Sequence, residues 1–120
     1  MNLYDETVSI LEQNGKTMED VVFIQGDNFR ITWDNFVSLA KETNYDSGFG
    51  APEIASDLVL AGNGFWLERG EYDGSEWWEY KEMPTPVRRT ETVESLSIVG
   101  SQIGWESLED ILNYNEEEEF

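Results

Sequence analysis

The side chains here that can do chemistry are carboxylates: 26 of the 120 residues are Asp or Glu, and neither Cys nor His occurs. Without those two types there is no disulfide framework, no Cys or His zinc site, no thiol nucleophile and no Ser-His-Asp triad. What remains is acid and base work by paired carboxylates, chemistry on tyrosine or serine hydroxyls, or a hard cation held by carboxylates. A glycosidase-like pair needs carboxyl groups roughly 5–10 Å apart across a sugar cleft, a spacing Glu68 and Glu79 meet if they face each other across strands. Magnesium and calcium favour oxygen ligands, but no D-x-D-x-D-G loop is present, and Asp27 followed by Asn28 is not enough. The glycines of Asn44 to Gly50 follow a helical pattern, yet the Lys, the Walker spacing and the G-x-G-x-x-G of a phosphate cradle are missing. No catalytic residue, metal ligand or cofactor is therefore assigned, and a binding protein is expected ahead of an enzyme.

The charge balance narrows the partners. Seven basic residues leave a net charge of −19, and without Glu116 to Glu119 the balance is still 22 acidic against 7 basic. The acidity belongs to the folded body. Such a charge favours solubility, opposes compaction by self-repulsion, and excludes unassisted binding to nucleic acid or anionic membrane surfaces. Basic surfaces and cations are the natural partners. The opening, MNLYDETVS, lacks a basic region before an apolar run, and no segment approaches membrane-spanning length, so a soluble protein of the cytoplasm is expected.

The elements that must position these groups centre on Phe65 to Lys81, FWLERGEYDGSEWWEYK. Asp73-Gly74 between runs rich in Trp, Tyr and Phe predicts a two-residue hairpin, because Gly accepts the positive φ of a type I′ turn. Counting outward pairs Glu71 with Glu76, Gly70 with Trp77, Arg69 with Trp78, Glu68 with Glu79 and Trp66 with Lys81. Alternation puts Leu67, Arg69, Trp78 and Tyr80 on one face and Trp66, Glu68, Tyr72, Trp77 and Glu79 on the other. A sheet with aromatics on both faces is covered twice or uses one face for a partner. Arg69 over Trp78 and Lys81 over Trp66 are candidate cation–π pairs. The two opposed Glu pairs work against the hairpin, which either aims negative charge at something or is simply a solvated acidic face.

Around the hairpin, Leu3, Tyr4, Val8 and Leu11 recur at helical spacing and Gly15 follows, predicting a helix over Leu3 to Asn14. Thr17 to Asp20 reads as a turn before a short strand, Val21 to Ile24, which a piece at Phe29 to Ile31 can pair. Thr32 is an N-cap for a helix from Trp33 to Glu42, with Trp33, Phe36, Val37 and Ala40 buried. The aromatics of Asn44 to Gly50 pin that loop to the sheet, and Pro52 can open one helical turn. Asp57 to Ala61 is a buried-type strand that completes a three-stranded meander. After Pro84 and Pro86, Arg88-Arg89 supplies local counter-charge, and Val93 to Val99 alternates as a further strand. Ser107 to Asp110 is a capping box for a last helix with Leu108, Ile111 and Leu112, and Trp105 is expected beneath it. The expectation is one α+β domain over residues 1–114, its antiparallel sheet packed on two or three helices, with a disordered acidic tail at 115–120.

NYDSGFG at Asn44 to Gly50, DLVLAG at Asp57 to Gly62 and WLERGEYDGSEWWEY at Trp66 to Tyr80 resemble a group of small acidic proteins encoded by phages and prophages of Gram-positive bacteria, as does the MNLYDETV opening. The resemblance covers roughly the first two-thirds of the chain, and ERGEYDGSEWWE is its most specific part. It implies a genetic setting and carries no catalytic residues. Small acidic phage proteins include anti-restriction and anti-CRISPR inhibitors, some of which mimic DNA, so the analogy favours an inhibitor of host defence.

The leading expectation is thus a non-enzymatic inhibitor that occupies the basic nucleic-acid channel of a defence nuclease, with a Cas9-class effector as the specific target. Duplex DNA carries about one negative charge per 1.7 Å of axis, and a compact acidic domain can present a similar field to a Lys/Arg-lined channel. Glu68, Glu71, Asp73, Glu76 and Glu79 are the residues expected to face a basic partner, with Trp66 and Trp77 as anchors. The competing class is a structural or regulatory phage protein that binds another protein partner and is acidic for solubility. The oligomeric state is left open.

Overall fold

Local capping decides where the helices begin. In the computed structural model, residues 1–48, 50–99 and 104–117 are described, the last three by their backbone alone. The Asn2 side chain accepts the Asp5 N–H and starts α1, Leu3–Gln13, which closes at Gly15 with φ 72°. Thr32 accepts the Asn35 N–H and starts α2, Trp33–Glu42. Between them Thr17 and Asp20 cap a single turn that leads into β1, Val21–Gln25, followed by β2, Arg30–Ile31. The meander is β3, Val59–Gly62, β4, Phe65–Tyr72, and β5, Ser75–Glu82.

The five strands form one antiparallel sheet in the order β2-β1-β3-β4-β5. The α+β class and the three-stranded meander are as the sequence predicts, with the meander on one side of the sheet and β5 at its edge. Contacts divide the chain into two compact units, Met1–Pro84 and Thr85–Phe120. In the first, Leu3, Leu11, Phe36 and Ala40 of the helices pack on Ile24, Leu60, Leu67 and Trp78, so both helices lie on one face of the sheet. The opposite face carries no helix of this unit. Fully burying a Leu or Phe contributes about 1.5–3 kcal/mol, so this one-sided core accounts for the order of the sheet.

Several expected details differ. The buried stripe of α1 is Leu3, Thr7 and Leu11, with Val8 only half-buried, because the Thr7 hydroxyl finds partners inside: it donates to the Leu3 carbonyl and accepts from Trp78 Nε1 at 2.9 Å. Trp33 is exposed, since a side chain at the first helical position leans back past the helix end rather than onto the core. Residues 51–56 form no helical turn. Tyr45 does pin its loop, being buried in the core, whereas Phe49 lies outside the described residues.

The second unit runs from Thr85 through bends to α3, Leu108–Glu117, where Ser107 and Asp110 exchange the predicted capping bonds at 3.1 and 3.2 Å. Ile111 and Leu112 are buried, while Leu108 is exposed. Residues 93–99 are not a strand: among the described residues of this unit no neighbouring strand offers hydrogen bonds, and alternation alone does not hold a strand in water. Trp105 does not pack beneath the helix. It has φ 55°, follows Gly104 at φ 70°, and is turned fully into solvent. Helix α3 includes residues 115–117 of the expected tail, and residues 118–120 lie outside the described set. Arg89 acts as local counter-charge, meeting Glu91 at 3.3 Å and Glu109 at 3.4 Å.

Candidate partner-binding surface

Asp73 at φ 49° and Gly74 at φ 86° make the turn, and β4 pairs with β5 in the counted register from Tyr72 with Ser75 to Phe65 with Glu82. That register fixes the place of every carboxylate and tryptophan singled out in the sequence. They do not form one surface. Glu76 goes to the helix-covered face, Glu68 and Glu79 with Trp66 and Trp77 to the opposite face, and Glu71 and Asp73 are exposed at the tip.

Glu76 is the clear correction. Its side chain is 2 % exposed and takes 2.8 Å from Arg69 Nη2, so it faces no partner. Arg69, itself 4 % exposed, also reaches Glu6 Oε1 at 3.3 Å and the Tyr45 hydroxyl at 3.0 Å, and its guanidinium stacks 4.6 Å from the Trp78 ring. The predicted Arg69–Trp78 pair is thereby present. One cation and two carboxylates leave an excess negative charge, which the donors around it offset: Glu53 and Ile54 give their backbone N–H groups to Glu76, and Tyr45 gives its hydroxyl to Glu6. Arg69 Nε is buried without a hydrogen-bond partner among the described residues, which fits a guanidinium stacked on a ring. Burial, then the bond to Glu6, pushes the Tyr45 hydroxyl up to about 12. Burial works against the Arg69 cation, but its bonds to Tyr45 and Glu76 outweigh that and hold it above the ordinary guanidinium value. Sequence reasoning put Arg69 on one face with Leu67, Trp78 and Tyr80, left open which face is buried, and missed Glu6 and Tyr45. The signal was a charged residue alternating in phase with Leu67, which has to meet a counter-charge from elsewhere.

This cluster also fastens the loop after α2 to the hairpin. Glu76 donates its N–H to the Ser47 carbonyl at 2.8 Å while its carboxylate holds the amides of Glu53 and Ile54. A Cβ on Gly74 would come within 2.5 Å of the Gly50 carbonyl oxygen, so the turn and the loop touch backbone to backbone. The exposed carboxylates Asp46 and Glu53 are thereby brought to the same end of the molecule as Glu71 and Asp73.

The opposite face is different in kind. Glu68 and Glu79, directly opposed, are bridged by Lys81 at 3.8 and 3.5 Å. Lys81 thus sits between the carboxylates instead of over Trp66. Both opposed Glu pairs are relieved, one by Arg69 and one by Lys81. Trp77 lies across Gly70, where an added Cβ would meet Trp77 Nε1 at 2.7 Å and Glu79 Oε1 at 2.5 Å, so the glycine is the floor for both side chains. Toward β1 the face continues through Trp66, Ala61 and Phe23, with the Arg30 guanidinium 5.0 Å from the Phe23 ring. Glu68 and Glu79 against Lys81 and Arg30 make this face balanced in charge. An apolar cleft of about 360 Å³ lies between α2, β2 and residues 53–58; Glu53 and Ile54 line it, but none of the hairpin carboxylates or tryptophans does.

Among the described residues no group of three or more Asp or Glu side chains is placed to hold a metal ion, and no helix is long and apolar enough to cross a membrane. Comparison with protein-family models, with curated proteins and with solved structures finds no match.

Proposed function

We propose that the chain is a non-enzymatic, phage-type inhibitor that binds the basic nucleic-acid channel of a bacterial defence nuclease, of the Cas9 class, and acts as an acidic nucleic-acid mimic within the infected cell. The observation that carries the reading is the disposition of charge. Six of the seven cations are committed to partners within the chain: Arg69, Lys81 and Arg89 to carboxylates, and Lys16, Arg30 and Lys41 to aromatic rings. With 26 carboxylates against them, the surface stays strongly negative whatever pairing occurs. Glu71 and Asp73, with the exposed Asp46 and Glu53 on the loop docked against the turn, form an acidic end open to a basic channel, and the relief of Glu76, Glu68 and Glu79 shifts the contact from the hairpin faces to its tip. A field of this sign steers association with a cationic channel and makes it sensitive to salt. The resemblance to small acidic phage proteins supports the same reading.

The test is to titrate the purified chain into a Cas9–guide RNA complex and follow target-DNA binding and cleavage at low and moderate salt. Loss of DNA binding that weakens with salt, and weakens further in the Glu71→Lys, Asp73→Lys double variant, supports the proposal. No effect on DNA binding, or inhibition indifferent to salt and to both substitutions, overturns it. A second reading has its own observation: the charge-balanced face bearing Phe23, Trp66 and Trp77 is the surface of a module that binds a protein partner by apolar contact. In that case Trp66→Ala and Trp77→Ala abolish partner binding while the tip substitutions leave it unchanged.

A further inference from the structure

The two ends of the sheet are unequal. One edge, β2, has two residues, whereas the other, β5, has eight in unbroken register with β4. Proteins protect edge strands by keeping them short, bulged or interrupted by proline, because an edge exposes unpaired N–H and C=O groups. Strand β5 has none of these protections, and it contains Trp77, Trp78 and Tyr80.

Which of its backbone groups face outward follows from the turn. Residues flanking a two-residue hairpin turn exchange both hydrogen bonds, and bonded and non-bonded pairs alternate from there. Ser75, Trp77, Glu79 and Lys81 thus turn their backbone groups toward β4, and Glu76, Trp78, Tyr80 and Glu82 turn theirs away. Two bonds confirm the phase: the outward Glu76 N–H meets the Ser47 carbonyl, and Met83 N–H, next in the inward series, meets the Gly64 carbonyl at 2.7 Å. The loop therefore covers the beginning of the edge. Among the described residues no backbone partner meets the outward groups of Trp78, Tyr80 and Glu82.

The geometry points to Trp78–Glu82 as a docking edge that takes a cationic extended peptide segment as a sixth strand, an assignment that rests on the proposed basic partner and names how its chain is held. Charge selects this occupant over a second copy. Two copies at −19 repel each other, and pairing five-residue edges buries far less than the 1,200–2,000 Å² of total surface typical of a stable interface. A basic strand instead meets the exposed Glu82, while alternate side chains reach the Trp77 ring, on which Arg or Lys can stack as Arg69 does on Trp78. Backbone pairing contributes affinity and alternate side chains contribute selectivity, as in other cases of strand addition.

The test uses the full chain labelled with 15N and a synthetic peptide alternating Arg and Val, beside a second peptide of the same sequence with alternate amides N-methylated. Charge is equal in the two, but only the first can pair as a strand. The expected result is that the first peptide shifts the Trp78, Tyr80 and Glu82 amide resonances downfield, slows their hydrogen exchange, and binds at least tenfold more tightly than the N-methylated peptide. Equal binding of the two peptides overturns the edge and leaves the acidic-mimic reading standing, because charge alone then explains the affinity. If neither peptide binds at low salt, the edge assignment fails. If the same amides shift with protein concentration and no peptide, the occupant is a second copy and the assignment fails in that form. Selective pairing with the first peptide, beside no effect on the Cas9 complex, keeps the edge and removes the proposed function.

Discussion

Replacing Arg69 with Met keeps an apolar stem against Trp78 and removes the guanidinium from a site where its side chain is 4 % exposed. Glu76, at 2 %, is then left with only the amides of Glu53 and Ile54, and Glu6 with the Tyr45 hydroxyl. Removing one partner of a buried ion pair costs about 3–5 kcal/mol, because the remaining charge stays desolvated. A domain of this kind has a total stability of about 5–15 kcal/mol, so the variant is expected near the limit of folding. Lys81→Met removes the same charge from a side chain 46 % exposed between Glu68 and Glu79, where pairing is worth about 0–1 kcal/mol. Urea unfolding followed by tryptophan fluorescence separates the two. With a slope of about 1–3 kcal/mol/M, Arg69→Met is expected to lower the midpoint by on the order of 2 M more than Lys81→Met does. The difference should survive about 1 M salt, where the screening length is near 3 Å, since the cluster is shielded from solvent. Should Arg69→Met not fold at all, Glu76→Gln gives the graded measurement. It leaves Arg69 its Glu6 and Tyr45 partners and is expected to cost about 1–3 kcal/mol. If Arg69→Met and Lys81→Met agree within about 1 kcal/mol, the reasoning is refuted: buried and exposed charges are then equivalent here.

The turn gives a second expectation. Gly74→Ala must accommodate φ 86° and a Cβ 2.5 Å from the Gly50 carbonyl oxygen, whereas Gly64→Ala meets φ 78° in open space. Both lower the melting temperature, and Gly74→Ala is expected to cost about 1–3 kcal/mol more because the docked loop must also shift. Alkaline titration tests the cluster. The Tyr45 pKa is raised to about 12 by burial and the bond to Glu6, so its stabilising effect is complete below the unfolded value near 10 and is lost as pH rises from there toward 12. Tyrosinate absorbance should show two late-ionising groups, Tyr45 and Tyr80, the latter raised to about 12 by burial and its bond to Glu82; Tyr45→Phe should remove one of them and lessen the loss of stability in that window, leaving the profile near neutrality unchanged in shape. Trp78→Phe, which deprives the Thr7 hydroxyl of the Trp78 Nε1 donor and leaves its bond to the Leu3 carbonyl, should cost about 1–3 kcal/mol in the same unfolding assay.

The hairpin was legible because its information is local. Asp73-Gly74 determines the turn, the turn determines the register, and the register determines the face of each side chain from Phe65 to Glu82. The caps at Thr32 and Ser107 were legible for the same reason, each bonding three residues away. The alternation at 93–99 misled because a strand requires a neighbour, and no local pattern states whether one arrives. Trp33 misled because helical period alone does not say that a side chain at the first helical position leans back past the helix end.

The candidate site failed to be legible at one residue, and the reason is physical. Counting placed Glu76 opposite Glu71, and two facing carboxylates read as charge aimed at a partner. What decides its fate is Arg69, held by Glu6 from 63 residues away and Tyr45 from 24. The same arrangement resolves the conflict between like charges and a stable hairpin. One pair is relieved inside by a cation buried with its counter-charges, the other outside by a lysine that remains in water. Those two solutions differ in consequence. Salt and substitution act on the exposed Lys81 bridge, while the Arg69 cluster fastens the loop to the hairpin tip, where among the described residues no ion pair holds Asp46, Glu53, Glu71 or Asp73. An acidic surface that must present charge to another molecule needs such a rigid base, because self-repulsion otherwise spreads the very groups that have to act together.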